Sequence, residues 1–151
     1  MLPLDPVAES PVSPLADRLV SIVVLLCAGA FVYFLLQVEP DPRGHGTHEQ
    51  LGMAPCGWAV SYGRPCPTCG VTTAASHLVR LQLFQAVKTQ PFGAALGAFG
   101  LWLGGVAFWC MARRKSFLDF LLRLPQIRIL IWGVVLLLLS WTYVDLTFVV
   151  S

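Results

Sequence analysis

Three of the chain's five cysteines lie within 14 positions, between two long apolar segments. Cys66 and Cys69 form a Cys-x-x-Cys turn that directs two sulfurs to one place, and Gly70 after them lets the backbone amides curl towards the turn. This arrangement suits either a metal ion or a dithiol-disulfide couple. Cys56 precedes the turn by a segment long enough to fold back. We therefore predict one cluster of Cys56, Cys66 and Cys69.

A structural zinc ion is one candidate occupant of this cluster. Zinc in a closed site takes four ligands in a tetrahedron, with sulfur at about 2.3 Å, so three cysteines need one more ligand. The chain has three histidines, and each is a possible further ligand: His45, His48 and His77. If a helix begins at Gly70, His77 lies roughly 10 Å along its axis, so its reach is marginal. The other two histidines are on a pliable, glycine-rich loop.

A disulfide is the candidate that the residues favour over zinc if the loop faces an oxidising compartment, because thiols pair there by default and three cysteines then leave one free thiol. In a redox enzyme, Cys66 would be the accessible attacking sulfur and Cys69 its resolving partner. A purely structural turn is the third candidate. The residue pattern leaves these alternatives open, and no cofactor is certain. Cys27 and Cys110 lie in apolar segments and are predicted to be packing residues.

The elements around the cysteines are those of a membrane protein. Hydrophobic residues make up 56% of the 151 residues and charged residues only 12%, which excludes an ordinary soluble domain. A helix of about 20 residues crosses the hydrocarbon layer, and three apolar segments have that length: 19–38, 91–112 and 129–148. We therefore predict an all-α integral membrane protein with three transmembrane helices, in which residues 19–151 form a single membrane domain.

Three further segments precede or connect these spans. Residues 1–18 are a proline-rich tail that we expect to be disordered. The cysteine loop, 39–70, begins with many helix-breaking prolines and glycines. Residues 71–90 have polar and apolar positions at helical spacing, which predicts amphipathic helices in the membrane interface with a bend near Leu81 or Gln82.

Loop charges predict the orientation of the spans. The loop between the second and third spans has five basic residues and one acidic residue, whereas the cysteine loop has two basic and three acidic residues. Because Lys and Arg favour the cytoplasmic side, we predict that the cysteine loop faces outwards. The basic run at 113–115 adjoins a span and lacks interleaved aromatic residues. We interpret it as an anchor to the lipid bilayer, and no nucleic-acid partner is predicted.

Two features inside the spans concern packing and charge. The second span carries a stripe of glycines, at Gly93, Gly97, Gly100 and Gly104. Such a stripe lets another helix approach closely, either from this chain or from a membrane-protein partner. Asp145 lies near the end of the third span, where an ionisable side chain is costly unless it is hydrated or paired.

The residues around the cysteines resemble an uncharacterised bacterial membrane family, domain of unknown function 2752. The similarity covers about residues 51–104. It is carried by a Pro-Cys pair at 55–56, the Cys-Pro-Thr-Cys-Gly box and a Gln-Pro pair at the entry to the second span. The matching neighbours in and after the box are Pro67, Gly70, Thr72 and Thr73. This chain has Thr73 where many members have Arg, so any anion-binding role of that Arg is absent here or falls to Arg64 or Arg80.

The resemblance implies a small polytopic protein of the bacterial inner membrane, and it implies no known activity. The sequence contains no phosphate loop, no nucleophile turn with a Ser-His-Asp order and no His-Glu-x-x-His motif. We therefore predict a non-catalytic accessory or assembly subunit with a structural cysteine cluster, held by a disulfide or a metal. The alternative is a membrane thiol-disulfide oxidoreductase that uses Cys66 and Cys69.

Overall fold

The chain folds into helices around three long, apolar ones. The computed structural model describes residues 13–147, and within this range it contains seven α-helices and no strands. The long helices are α1 (Pro14–Gln37), α5 (Pro91–Ala112) and α7 (Gln126–Thr147), and each is long and apolar enough to cross a membrane. The shorter elements are a 3-10 helix (Thr47–Leu51), α2 (Gly57–Tyr62), α3 (Val71–Val79), α4 (Leu83–Thr89) and α6 (Phe117–Arg123). The predicted fold class is confirmed.

The first long helix begins earlier than its apolar run. Ser13 occupies the N-cap position, its side chain accepts a hydrogen bond from the backbone N–H of Ala16, and Pro14 starts the first turn. Ser before Pro is a strong helix start, because the hydroxyl caps an orphan N–H and proline fixes a helical φ. Residues 14–18 of the predicted tail are therefore helical. The first 12 residues of that tail, and the last residue of the predicted third span, lie outside the described range.

The long helices expose apolar side chains along most of their length. Leu26 in α1, Phe108 in α5 and Leu130 in α7 are 67%, 61% and 68% exposed. Large apolar side chains exposed along whole helices indicate contact with lipid rather than water. The three helices are thus consistent with insertion into a bilayer.

Residues 71–90 form two short helices, of which α3 packs on both α1 and α5 and α4 packs on α5. Leu81 has a positive φ of 61°, and this residue separates α3 from α4 at the predicted bend. The α3 helix buries a run of small residues, Thr73, Ala74, Ala75 and Ser76. It therefore lies largely inside the protein, whereas its sequence pattern alone predicts a helix with one face in the headgroup region. The reason is that α1 and α5 pack on it and the preceding loop folds over its first turn.

A single arginine joins α3 to the end of α1. The guanidinium of Arg80 donates to the carbonyl oxygens of Leu35, Leu36 and Val38, at 2.9, 3.2 and 2.6 Å. It also donates to the backbone and hydroxyl oxygens of Ser76. The last carbonyls of a helix have no partner within that helix, and a cation is favoured beside them. Arg80 therefore satisfies the end of α1 and fixes α3 beside it.

The glycine stripe of α5 packs mainly inside the chain. A Cβ atom built on Gly93 would lie 2.8 Å from the Cα of Val71, and one on Gly104 would lie 2.9 Å from the Cβ of Ala28. Gly97 meets Leu78 of α3 at 2.9 Å. Gly100 differs, because a Cβ there would meet no atom within 4 Å. The close helix approach thus uses three of the four glycines, and their partners are α1 and α3 rather than the third span.

Replacement of Gly93 by alanine should destabilise the protein. The new methyl group would collide with the backbone of Val71 at the start of α3, and such overpacking costs about 1–3 kcal/mol. Gly100→Ala is the matched control in the same helix, where the free space leaves only the small gain in helix propensity. Thermal unfolding in detergent measures both variants. Equal stability of the two would contradict the packing described here.

Candidate cysteine site

Three cysteine sulfurs meet at the end of the bundle where α1 ends and α5 begins. The Sγ atoms of Cys56, Cys66 and Cys69 all lie within 4.8 Å of one another. Cys56 stands at the N-cap position of α2, and the other two belong to the turn that precedes α3. The structure thus brings together the three cysteines that the sequence predicts as one cluster. Cys27 and Cys110 lie in α1 and α5, apart from it.

The cysteine turn is closed by backbone hydrogen bonds and requires glycine at its end. The N–H of Cys69 donates to the carbonyl of Cys66 at 3.0 Å. Gly70 follows with a φ of +86°, a conformation that residues with a Cβ rarely adopt. A Cβ at this position would also lie 2.7 Å from the carbonyl oxygen of Gly44. The glycine of the motif therefore allows both the turn and the close approach of the preceding loop.

Buried polar side chains support the turn from two sides. Gln90 is fully buried, its amide donates to the carbonyl of Pro67 at 3.3 Å, and its Oε1 accepts from the N–H of Gly93 at the start of α5. Thr73, also fully buried, shares a 2.8 Å hydrogen bond with the hydroxyl of Thr47 in the preceding loop. Thr72 is half-buried. These contacts connect the turn with α5 and with the loop.

Cys56 and Cys69 differ in how readily their thiols ionise. Cys69 is buried, and this burial raises the pKa of its thiol to about 12, helped by the repulsion that thiolates at Cys66 and Cys56 would exert. Burial opposes ionisation of Cys56 as well, but the N–H groups in the first turn of α2 and the Cys66 thiol outweigh it. The pKa of Cys56 is therefore below its usual value. A cation among the sulfurs would allow all three to be thiolates.

Two of the three candidate histidines lie beside the cluster. A cavity of about 360 Å³ is lined by His45 and His48 on one side and by Cys56 and Cys69 on the other. His77 is not among its lining residues, and its Nδ1 lies 2.6 Å from Oε1 of Gln82. Among the described residues, only the three sulfurs form a group of possible ligand atoms within 4.8 Å. His45 and His48 are therefore neighbours of the cluster, but neither adds a ligand atom to the group of three sulfurs.

The far end of α7 is attached to the cysteine loop. Arg64 forms an ion pair with Asp145 at 2.7 Å, and the indole N–H of Trp141 donates to the carbonyl of Pro65 at 3.1 Å. The charge predicted as costly in the third span is thus paired, next to a cavity of about 370 Å³ that both residues line. The sequence pattern alone did not identify this pair.

The comparisons with known proteins identify one segment of the chain. No curated protein and no solved structure matches the chain. A family model described as Protein of unknown function (DUF2752) matches residues 56–104, from the first cysteine of the cluster into α5. The matched residues include all three clustered cysteines and Gln90, and the match is to the family that the cysteine motif predicts.

Proposed function

We propose that the three clustered cysteines bind a zinc ion, and that this ion has a structural role in a small, non-catalytic membrane protein. The single observation that carries the proposal is the convergence of three sulfurs within 4.8 Å. Four ligands at about 2.3 Å around zinc place sulfurs roughly 3.8 Å apart, so small side-chain rotations are sufficient to enclose an ion. A disulfide, in contrast, uses two of the sulfurs and has no use for the third.

The position of the cluster supports a structural role. It joins α2 to the turn before α3, and both of these elements are short. Short helices are marginal alone, so the metal would supply the free energy that fixes them at the end of the bundle. The same end presents exposed apolar side chains of α2, with Val60 and Tyr62 at 73% and 71% exposure. An accessory or assembly subunit would use such an ordered surface to meet its membrane-protein partner.

We further propose that the protein resides in a bacterial inner membrane with the cysteine loop on the outer side, where bound zinc would keep the three thiolates from pairing as disulfides. The unequal loop charges support this orientation. A cysteine introduced at Met53, which is 50% exposed, should react in intact cells with an impermeant thiol reagent. A reaction only after lysis would invert the orientation.

Metal analysis combined with thiol counting tests the zinc proposal. The protein would be purified in detergent without reductant and without chelator. We expect stoichiometric zinc, together with three clustered thiols that react only after the metal is removed. A metal-free protein that cannot take up zinc would overturn the proposal.

A thiol-disulfide oxidoreductase is the second candidate function, favoured by the unequal burial of the Cys-x-x-Cys pair. Cys66 is half-buried and Cys69 is buried, as suits an attacking and a resolving sulfur. The Cys66 thiolate would attack a disulfide of the substrate protein and expel one thiolate. Cys69 would then attack Cys66, release the second thiolate and leave a Cys66–Cys69 disulfide, so that the substrate gains the two electrons. Isolation of the protein with this disulfide, and no metal, would favour the second function.

A further inference from the structure

We propose that His45 is the fourth ligand of the zinc ion. This inference rests on the proposed metal site and extends it, because a fourth protein ligand makes the site closed and structural, whereas an open position is typical of catalytic zinc. It also assigns a role to the glycine-rich loop before the cysteines. The metal would then connect three segments: this loop, the start of α2 and the cysteine turn.

The backbone on both sides of His45 is fixed next to the cysteine turn. The carbonyl oxygen of Gly44 lies against Gly70, the residue that follows Cys69. On the other side, the hydroxyl of Thr47 shares a buried hydrogen bond of 2.8 Å with Thr73 in the first turn of α3. These two contacts place His45 in the short stretch of loop that crosses the start of α3. The cavity between the histidine and the sulfurs of Cys56 and Cys69 is the result.

The ring of His45 has the hydrogen bond that metal-binding histidines commonly make. Its Nδ1 lies 3.1 Å from the carbonyl oxygen of Arg43. Because a carbonyl oxygen only accepts hydrogen bonds, the proton is on Nδ1, and in the neutral ring the lone pair is therefore on Nε2. A backbone carbonyl that accepts from one ring nitrogen fixes the tautomer in which the other nitrogen coordinates a metal.

The glycines beside His45 allow the small local adjustment that brings its ring to the ion, although the loop is held on both sides. Gly44 and Gly46 flank His45 and have φ values of +78° and +90°, a region that glycine enters without strain. At its start the loop is held by the ion pair between Arg43 and Asp41, at 2.8 Å. A small adjustment at Gly46 and in the side-chain torsions of His45 would therefore turn Nε2 towards the sulfurs while Nδ1 keeps its bond to the carbonyl of Arg43.

His45 fits the fourth position better than the other histidines. His48 lines the same cavity, but it belongs to the 3-10 helix Thr47–Leu51, whose backbone has less freedom. The ring of His77 is hydrogen bonded to Gln82, away from the cavity. Glu49 also lines the cavity, and its carboxylate lies 3.4 Å from the guanidinium of Arg43. His48 therefore serves as the matched control.

Cobalt(II) substitution of the purified full-length protein in detergent tests the inference. Tetrahedral cobalt bound to thiolates has visible bands that report both the number of sulfurs and the geometry. We expect cobalt-loaded His45→Ala to keep the sulfur-to-cobalt charge-transfer band and to lose intensity in the tetrahedral bands. In competition with a chelator, the same variant should bind zinc about 10–100-fold more weakly than the parent. His48→Ala should match the parent. His45→Cys, which replaces one ligand with another, should bind tightly and strengthen the charge-transfer band.

Three outcomes would overturn the inference. If His48→Ala loses affinity and His45→Ala does not, the fourth ligand is the other histidine. If both variants bind like the parent, the fourth position is not held by either histidine. If the parent binds neither zinc nor cobalt, the proposed metal site itself fails, and this result is distinguishable because it does not depend on any histidine variant.

Discussion

Cys56→Ser and Cys66→Ser should each reduce bound zinc from stoichiometric to background levels. The two residues come from separate segments, but their sulfurs lie in one group with Cys69, so the loss of either ligand undoes the same closure. Because binding of a structural metal contributes directly to folding free energy, each variant should lose several kcal/mol of stability at this end of the protein. Limited proteolysis of the 39–70 loop and zinc content measure the effect.

The double variant gives the sharper result. Residues that act in one site have non-additive effects, so Cys56→Ser combined with Cys66→Ser should be little worse than either single change. Cys27→Ser is the control, since this cysteine is exposed on α1 and lies outside the cluster. A Cys56→Ser protein with normal zinc and normal protease resistance would show that Cys56 is only a neighbour of the other two sulfurs.

Arg80→Met is a separate variant that should also destabilise the protein strongly. The guanidinium makes five hydrogen bonds, three of them to the last carbonyls of α1. Methionine keeps much of the aliphatic volume but removes all five bonds, so that only the Ser76 hydroxyl remains to donate to the carbonyls of Leu35 and Val38. We expect a loss of about 2–4 kcal/mol in the free energy of unfolding. Removal of the charged donor leaves polar groups buried with fewer hydrogen bonds, and their desolvation is then no longer compensated. Thermal or denaturant unfolding in detergent measures it.

Two further variants make this result specific. Arg80→Lys retains the charge but not the planar fork, so it should recover only part of the stability. Arg123→Met removes a cation that is 72% exposed and pairs with Asp119 one turn away on α6. Such exposed pairs contribute less than about 1 kcal/mol. If the Arg80 and Arg123 variants are equally stable, Arg80 does not hold α3 to α1.

Much of the architecture follows from local sequence. The three apolar runs determine the long helices, because only a helix of about 20 residues satisfies its own backbone across a bilayer. Pro91 marks the start of α5 at the predicted residue, since proline is suited to the first turn. The Cys-x-x-Cys-Gly motif likewise predicts the turn at 66–70, because glycine there reaches a positive φ. In each case the interaction that determines the structure is between residues only a few positions apart in the sequence.

Contacts between distant segments were decided only by the tertiary structure. Arg80 was predicted as a polar position of an interfacial helix, yet its partners are carbonyls of α1, more than 40 residues earlier in the chain. Arg64 and Asp145, paired at 2.7 Å, are 81 positions apart. Gly100 has the same spacing as the packed glycines but faces open space. No local pattern specifies which distant group will hydrogen bond to a helix end, pair with a charge or pack against a glycine. These partners depend on how the helices pack. The sequence alone therefore determined that cysteines cluster beside helices long and apolar enough to cross a membrane. The neighbours of that cluster, His45 among them, depend on the path by which the loop returns over α3.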